Sequence, residues 1–322
     1  MPVLYPRCAI FRSVPPQVSS TSSGCAAIAS RSRFILPPSP ADSISLIFGE
    51  VSHLSGHLER RSLPGVGMLS FSAMMPASQH NRESLNSKVA LVTGSAKRLG
   101  RAVALRLAQE GVDIIIHYRK SRAEAAEAVA EVEKLGRRAI AITADLGNVS
   151  EIKWLFDETS KQFGRLDILV NSAANFLSAS MDSTTEEIWD ASVDTNLKAP
   201  FFCAQAAAPL LRRTNGTIIN FADTGGLLGW PGYIAHSVSK AGVVMLTKVL
   251  AKALAPEVRV NAIAPGTITM TGDPPEWEAG FRKLAPLGRS GTPSDITDAV
   301  VFLALSKFIT GQTLVVDGGS TL

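Results

Sequence analysis

The chain has 322 residues, 46% hydrophobic and 19% charged, a globular balance with enough apolar material for one large domain or two ordinary ones. The net charge of +4 is spread out, with no Lys/Arg block and no basic stripe interleaved with aromatics, which argues against nucleic acid and fits a small anionic ligand. No apolar run is long enough to span a bilayer, and Cys8, Cys25 and Cys203 form no C-x-x-C pair, so neither a membrane protein, a disulfide framework nor a zinc site is suggested. A reducing, cytoplasmic setting is the default expectation.

Residues 1–87 stand apart. They are rich in Ser and Arg, hold only four acids (Asp42, Glu50, Glu59 and Glu83), and contain no lysine before Lys88. Pro15-Pro16 and Pro37-Pro38 break any long helix. The segment reads as a disordered extension without chemistry. It is either an organelle transit peptide or the product of an over-extended reading frame, with Met68, Met74 and Met75 as later starts. His53 and His57 have the spacing of a helical metal pair but lack a third ligand, and no metal is assigned.

From Lys88 the pattern alternates. Strands are expected at 89–93, 113–117, 139–144, 166–170, 217–221, 259–263 and 313–316. Between them the sequence predicts helices at 101–110, stopped by Gly111, at 123–135, stopped by Gly136, and at 152–163. A long helical stretch follows at 185–212, then helices at 233–254 and 294–305. Thr267 to Leu287, with Thr269, Gly272, Pro274, Pro275 and Trp277, reads as a substrate lid with a short helix. Such alternation specifies one doubly wound α/β domain over 88–322, of Rossmann type, with a parallel sheet and ligands at the carboxyl ends of its strands.

The loop Thr93-Gly94-Ser95-Ala96-Lys97-Arg98-Leu99-Gly100 joins the first strand to the first helix. Gly94 permits the tight turn and Gly100 close helix–sheet packing, so helix N-terminal amides can face a pyrophosphate. The second strand ends His117-Tyr118-Arg119-Lys120-Ser121, with no acid to bind a ribose 2′-hydroxyl. With Lys97 and Arg98 on the loop opposite, the charges suit a 2′-phosphate and select NADPH. Asp145 closes the third strand, where it either bonds near the adenine or caps the next helix.

These residues resemble the short-chain dehydrogenase/reductase family over almost all of 88–322. The resemblance rests on Thr93-Gly94…Gly100, Asn171-Ser172-Ala173-Ala174, Asn196, Ser239-Lys240, Pro265-Gly266 and Val316-Asp317-Gly318-Gly319. It implies cofactor contacts from Gly94, Leu99, Gly100, Asp145, Leu146, Asn171, Ala173, Lys240, Pro265 and Gly266. Within the family the chain looks most like the pteridine reductases, through Arg98, His117-Tyr118, Asp223 and Phe176. In that subgroup an aromatic at Phe176 would stack on a pterin; otherwise Phe176 is a pocket wall.

One departure stands out. The family's catalytic signature is Tyr-x-x-x-Lys, and here His236 stands four residues before Lys240. The resemblance implies that Lys240 binds the nicotinamide ribose and joins a relay through Asn196. A spacing of four keeps His236 and Lys240 on one helical face, and histidine is a common proton shuttle. Asp223 and Tyr233 are the other candidate proton sources; Tyr233 would share that face if the helix begins early enough. The expected activity is NADPH-dependent hydride transfer to a small molecule, either a dihydropterin or a ketone such as a 3-oxoacyl thioester. A cofactor-binding sensor or scaffold without turnover is the other class. The resemblance implies a homodimer or homotetramer joined through the helices at 185–212 and 233–254.

Overall fold

In the computed structural model, residues 84–322 are described, except Pro274 and the side chains of Pro275, Glu276, Trp277 and Ala279. The expectations for residues 1–83, including disorder, the alternative starts and the His53–His57 pair, lie outside the described residues, as do those for Pro274 and the Trp277 side chain.

Seven short apolar runs form one parallel sheet: β1 (Val89–Val92), β2 (Asp113–Tyr118), β3 (Ala139–Thr143), β4 (Ile168–Asn171), β5 (Thr217–Phe221), β6 (Arg259–Pro265) and β7 (Thr313–Val316). Their order is β3-β2-β1-β4-β5-β6-β7. Ala90 pairs with Ile114 of β2 on one side and Ile168 of β4 on the other. The order therefore reverses between β1 and β4, and the crevice at their carboxyl ends is where an open sheet of this kind binds ligand.

Alternation along β1 divides the core between the two faces. Ala90 and Val92 pack with α1 (Arg98–Gln109), α2 (Arg122–Lys134) and α9 (Pro293–Leu305), through Val103, Leu107, Ala128, Ile296 and Val300. Val89 and Leu91 pack with α3 (Val149–Phe163), α5 (Ala199–Thr214) and α7 (Ile234–Leu254), through Ile152, Leu155, Cys203 and Leu250. Core packing begins before residue 88, since Leu85 is already buried. Among the described helices α7 alone is long and apolar enough to cross a bilayer, with a mean hydropathy of 1.2 over its window. Half of that window is buried, and α7 packs against β6, so it is a core helix of the domain.

Several boundaries differ from the sequence expectation. Helix α1 begins at Arg98 rather than Arg101. Helix α3 begins at Val149, because Asn148 caps it by accepting from the Ser150 N–H at 3.0 Å. Asp145 is thus not the cap. The long stretch at 185–212 resolves into α4 (Glu186–Val193), a π-type turn at Asp194–Lys198, and α5. Pro200 lacks the N–H that would bond the carbonyl of Asn196 four residues back, and the helix widens there. A short α6 (Gly225–Leu228) was not foreseen; the lid helix, α8 (Pro275–Arg282), was.

Candidate active site

The loop from β1 to α1 is shaped by its glycines. Gly94 has φ +67°, and a Cβ there would lie 2.9 Å from the Ala173 Cα; a Cβ on Gly100 would lie 2.5 Å from the Gly94 carbonyl oxygen. The loop is therefore drawn tight against both β4 and its own helix. Thr93 fixes it from below, its Oγ1 accepting from the Ser172 and Ala173 N–H groups, both at 3.0 Å. His117, fully buried, fixes it from the side: Nδ1 accepts from the Gly94 N–H at 3.0 Å, and Nε2 lies 3.1 Å from the Ala144 carbonyl oxygen. A carbonyl only accepts, so the proton sits on Nε2 and the ring is neutral. Burial accordingly pushes the His117 pKa down to about 4.

Around this loop opens a cleft of about 840 Å³. It is lined by Gly94, Lys97, Arg98, Leu99, Gly100, His117, Arg119, Asp145, Leu146, Ala173, Pro265 and Gly266 at one end, and by Asp223, His236 and Lys240 at the other. The lining suits an extended dinucleotide: glycines allow close approach, helix α1 presents its N-terminus, and the apolar Ala144 and Leu146 flank Asp145. Four expected cofactor contacts do not line it. Tyr118 packs against the core, and Asn171 donates to Asn220 Oδ1 at 2.9 Å inside the sheet. Lys120 and Ser121 lie in the turn beyond the cleft wall. The basic side chains are also less free than their sequence suggested. Lys97 pairs with Glu124 at 2.5 Å, Arg98 with Asp273 at 3.1 Å and Arg119 with Asp145 at 3.7 Å.

At the other end the π-type turn puts Asn196 into a buried network. Its Nδ2 donates to the Asn175 carbonyl at 3.0 Å and to Ser239 Oγ at 3.1 Å, and its Oδ1 accepts from the Asn175 N–H at 2.7 Å. His236 joins the same carbonyl: its Nδ1 lies 3.2 Å from the Asn175 oxygen. Nδ1 must therefore carry a proton. Nε2 is then the uncommitted nitrogen; it is buried, has no hydrogen-bond partner, and lies 3.7 Å from Asp223 Oδ2. Asp223 is held by its other oxygen, which accepts from the Gly225 N–H at 2.6 Å. Lys240 is fully enclosed, donates to the Phe221 carbonyl at 2.7 Å, and has its pKa pushed down to about 8 by burial, with Asp223 opposing.

Tyr233 does not share the helical face. It precedes α7 with φ −145° and ψ 50°, and its ring instead stacks on Phe176, with centroids 4.5 Å apart. Phe176 is 57% exposed and meets His236 edge-on at 4.7 Å. With Trp230 they form one aromatic wall of a second cavity, about 580 Å³, whose other side is the lid residues Phe281 and Leu284.

The family model described as enoyl-(acyl carrier protein) reductase matches residues 94–321. The 3-oxoacyl-[acyl-carrier-protein] reductase of Staphylococcus aureus (strain Mu50) is 40% identical over 240 residues, covering 72% of this chain and 98% of its own. A short chain dehydrogenase of Burkholderia cenocepacia, solved in complex with NADP, superposes with a TM-score of 0.71 at 34% identity, covering 74% of this chain and all of its own. The chain belongs to the short-chain dehydrogenase/reductase family. Eggerthella lenta 3beta-hydroxysteroid dehydrogenase 1, 38% identical over 250 residues, covers 74% of this chain and 96% of its own. The comparisons place the chain in the family without singling out the pteridine reductases.

For a short-chain dehydrogenase/reductase, the sequence reading passed over four residues that shape the site. Thr93 is legible in the sequence only as the first residue of the glycine loop, and nothing there marks Asn175. Trp230 sits in the Trp-Pro-Gly-Tyr turn before α7, a signal that was present in the sequence. Asp273 could not be found that way, because its partner Arg98 is 175 positions distant.

Proposed function

We propose that this protein is an NADPH-dependent carbonyl reductase, acting on a ketone of the 3-oxoacyl thioester class, with His236 in the proton-donating role. The observation that carries the reading is His236 Nε2: buried, without a hydrogen-bond partner, 3.7 Å from Asp223, and in the wall of the cleft that Lys240 also lines. The names of the relatives support the ketone, and the NADP bound to the Burkholderia protein supports the cofactor.

Bound NADPH would supply the hydride, held by the glycine loop and the cleft residues described above. As the carbonyl carbon accepts that hydride, its oxygen gains negative charge and needs a proton. His236 in its doubly protonated form can give the Nε2 proton to that oxygen. What remains is the Nδ1–H tautomer, the one the Asn175 carbonyl holds. Nε2 lies 3.7 Å from the nearer Asp223 oxygen. The Lys240 ammonium, held by the Phe221 carbonyl, lines the same end of the cleft.

A dihydropterin is the second reading. Phe176 and Asp223 both line the second cavity, where a flat heterocycle could meet an aromatic face and an acid together. We also propose a two-fold assembly through α5 and α7, supported by exposed Phe201, Val238, Met245 and Val249 on those helices. The test of function is NADPH oxidation by the full chain, offered a 3-oxoacyl thioester and a dihydropterin side by side. His236→Phe should lower kcat by roughly 10²-fold or more on whichever acceptor is used, since it keeps the ring and removes both nitrogens. Tight NADPH binding with no turnover of either acceptor would instead favour a cofactor-binding protein without chemistry.

A further inference from the structure

Arg98 has φ +50°, a left-handed backbone unusual for a residue other than glycine, and sits where the cofactor loop becomes α1. Its guanidinium forks onto Asp273, Nη1 to Oδ1 at 3.1 Å and Nη2 to Oδ2 at 3.4 Å. Asp273 is nearly covered and accepts from the Met270 N–H at 2.8 Å as well. These two bonds, the backbone one first, hold its carboxyl below the usual carboxylate range.

The position of this pair is informative. Both residues line the cofactor cleft, and both line the cavity under the aromatic wall. The pair is the partition between the two. It is also where the lid is tied down. The lid's base is fixed to the strand-like segment beside it: Thr269 N–H donates to the Gly291 carbonyl at 3.0 Å, and Gly291 N–H to the Thr267 carbonyl at 2.9 Å. From 271 to 284, apart from the two bonds between Asp273 and the adjoining Met270, the Arg98–Asp273 pair is the one polar contact to the rest of the molecule among the described residues.

We propose that Asp273 is a positioning residue which, through Arg98, couples cofactor binding to the closed lid. The proposal rests on the dinucleotide reading of the cleft. Asp273 places a carboxylate in a cleft built for an anion, and Arg98 neutralises it while holding the lid. One guanidinium therefore serves both sides. Without Arg98, an uncompensated carboxylate faces the pyrophosphate region; without Asp273, the lid loses its tether but the cleft gains net positive charge.

The test uses the full chain and three variants: Arg98→Gly, which the positive φ accommodates without strain, Asp273→Asn, and the double variant. Thermal melts first establish that each is folded. Trypsin cleavage after the exposed Lys283 of the lid, in the absence of cofactor, reads the tether. Fluorescence titration with NADPH reads the charge. Cleavage is expected to be several-fold faster in all three variants than in the parent chain. Arg98→Gly should weaken NADPH roughly tenfold, and adding Asp273→Asn should recover most of that loss, a coupling that a double-mutant cycle isolates. Unchanged cleavage in Asp273→Asn, or a double variant that binds NADPH no better than Arg98→Gly, overturns the proposal. Failure of the parent chain to bind NADPH would overturn the dinucleotide reading itself, and the proteolysis arm would still decide the tether.

Discussion

Acid should weaken this protein well before its carboxylates titrate, and His117 is the reason. Its Nδ1 accepts from the Gly94 N–H and its Nε2 donates to the Ala144 carbonyl, so the folded state holds the neutral ring. Protonation would turn Nδ1 into a donor facing a donor. An unfolded histidine has a pKa of 6.5, whereas burial brings that of His117 down to about 4. A depressed pKa means that the unfolded chain takes up the proton first. The stabilisation is therefore fully present above about pH 6.5, declines as pH falls, and is exhausted near pH 4. The gap corresponds to about 3 kcal/mol in all, of which about 2 kcal/mol should be gone by pH 5.

Urea denaturation at pH 7.5 and pH 5, on the parent chain and on His117→Gln, measures this. The variant lacks the titrating ring, while the other histidines are common to both proteins and cancel in the comparison. Asp295 also contributes acid sensitivity, since Arg289 holds its carboxyl far below the usual range, but that loss falls below the His117 window. The parent should lose about 2 kcal/mol more than the variant between the two pH values. Equal losses would refute the argument that a neutral His117 pins the cofactor loop.

Other outcomes follow from the same geometry. Gly94→Ala should cost about 2 kcal/mol in chemical denaturation and weaken NADPH in titration, since its φ is positive and the new Cβ meets the Ala173 backbone at 2.9 Å. The Lys240 ammonium is lost as pH rises through about 8, so kcat/KM should fall above that pH. Lys240→Arg, measured across the same range, should lack that alkaline limb even if its activity is lower. Met245→Glu and Val249→Glu place charge on the exposed apolar side of α7 and should give a monomer in light scattering if that face joins two copies.

The alternation of apolar runs and glycine-stopped helices sufficed for the architecture, because strands that alternate with helices of this length can pair only through crossovers, which makes the sheet parallel. Errors gathered where a local rule met a competing neighbour. Asp145 lost the helix cap to Asn148, which stands one residue from the first turn. The stretch at 185–212 read as one helix, since apolar periodicity does not register the donor that Pro200 withholds from Asn196. Tyr233 is off the helical face because its backbone is non-helical, at the cap of α7, and its ring stacks on Phe176 instead.

The substituted acid shows where sequence reading stops. That His236 occupies the tyrosine position is plain from its spacing to Lys240. Which nitrogen does the work is not, because a histidine offers two and the sequence treats them alike. The choice is made by Asn175, sixty-one positions away, whose carbonyl oxygen lies 3.2 Å from Nδ1. That same carbonyl accepts from Asn196, so one backbone oxygen fixes both the Asn196 amide and the tautomer of the histidine. A tyrosine would need no such selection, having a single hydroxyl. The replacement is thus chemically definite here only because the turn after β4 presents a carbonyl at that point. His236→Tyr tests the consequence: a fall in kcat would mean that the surroundings are built for an imidazole, while a large gain would mean that they still favour a phenol.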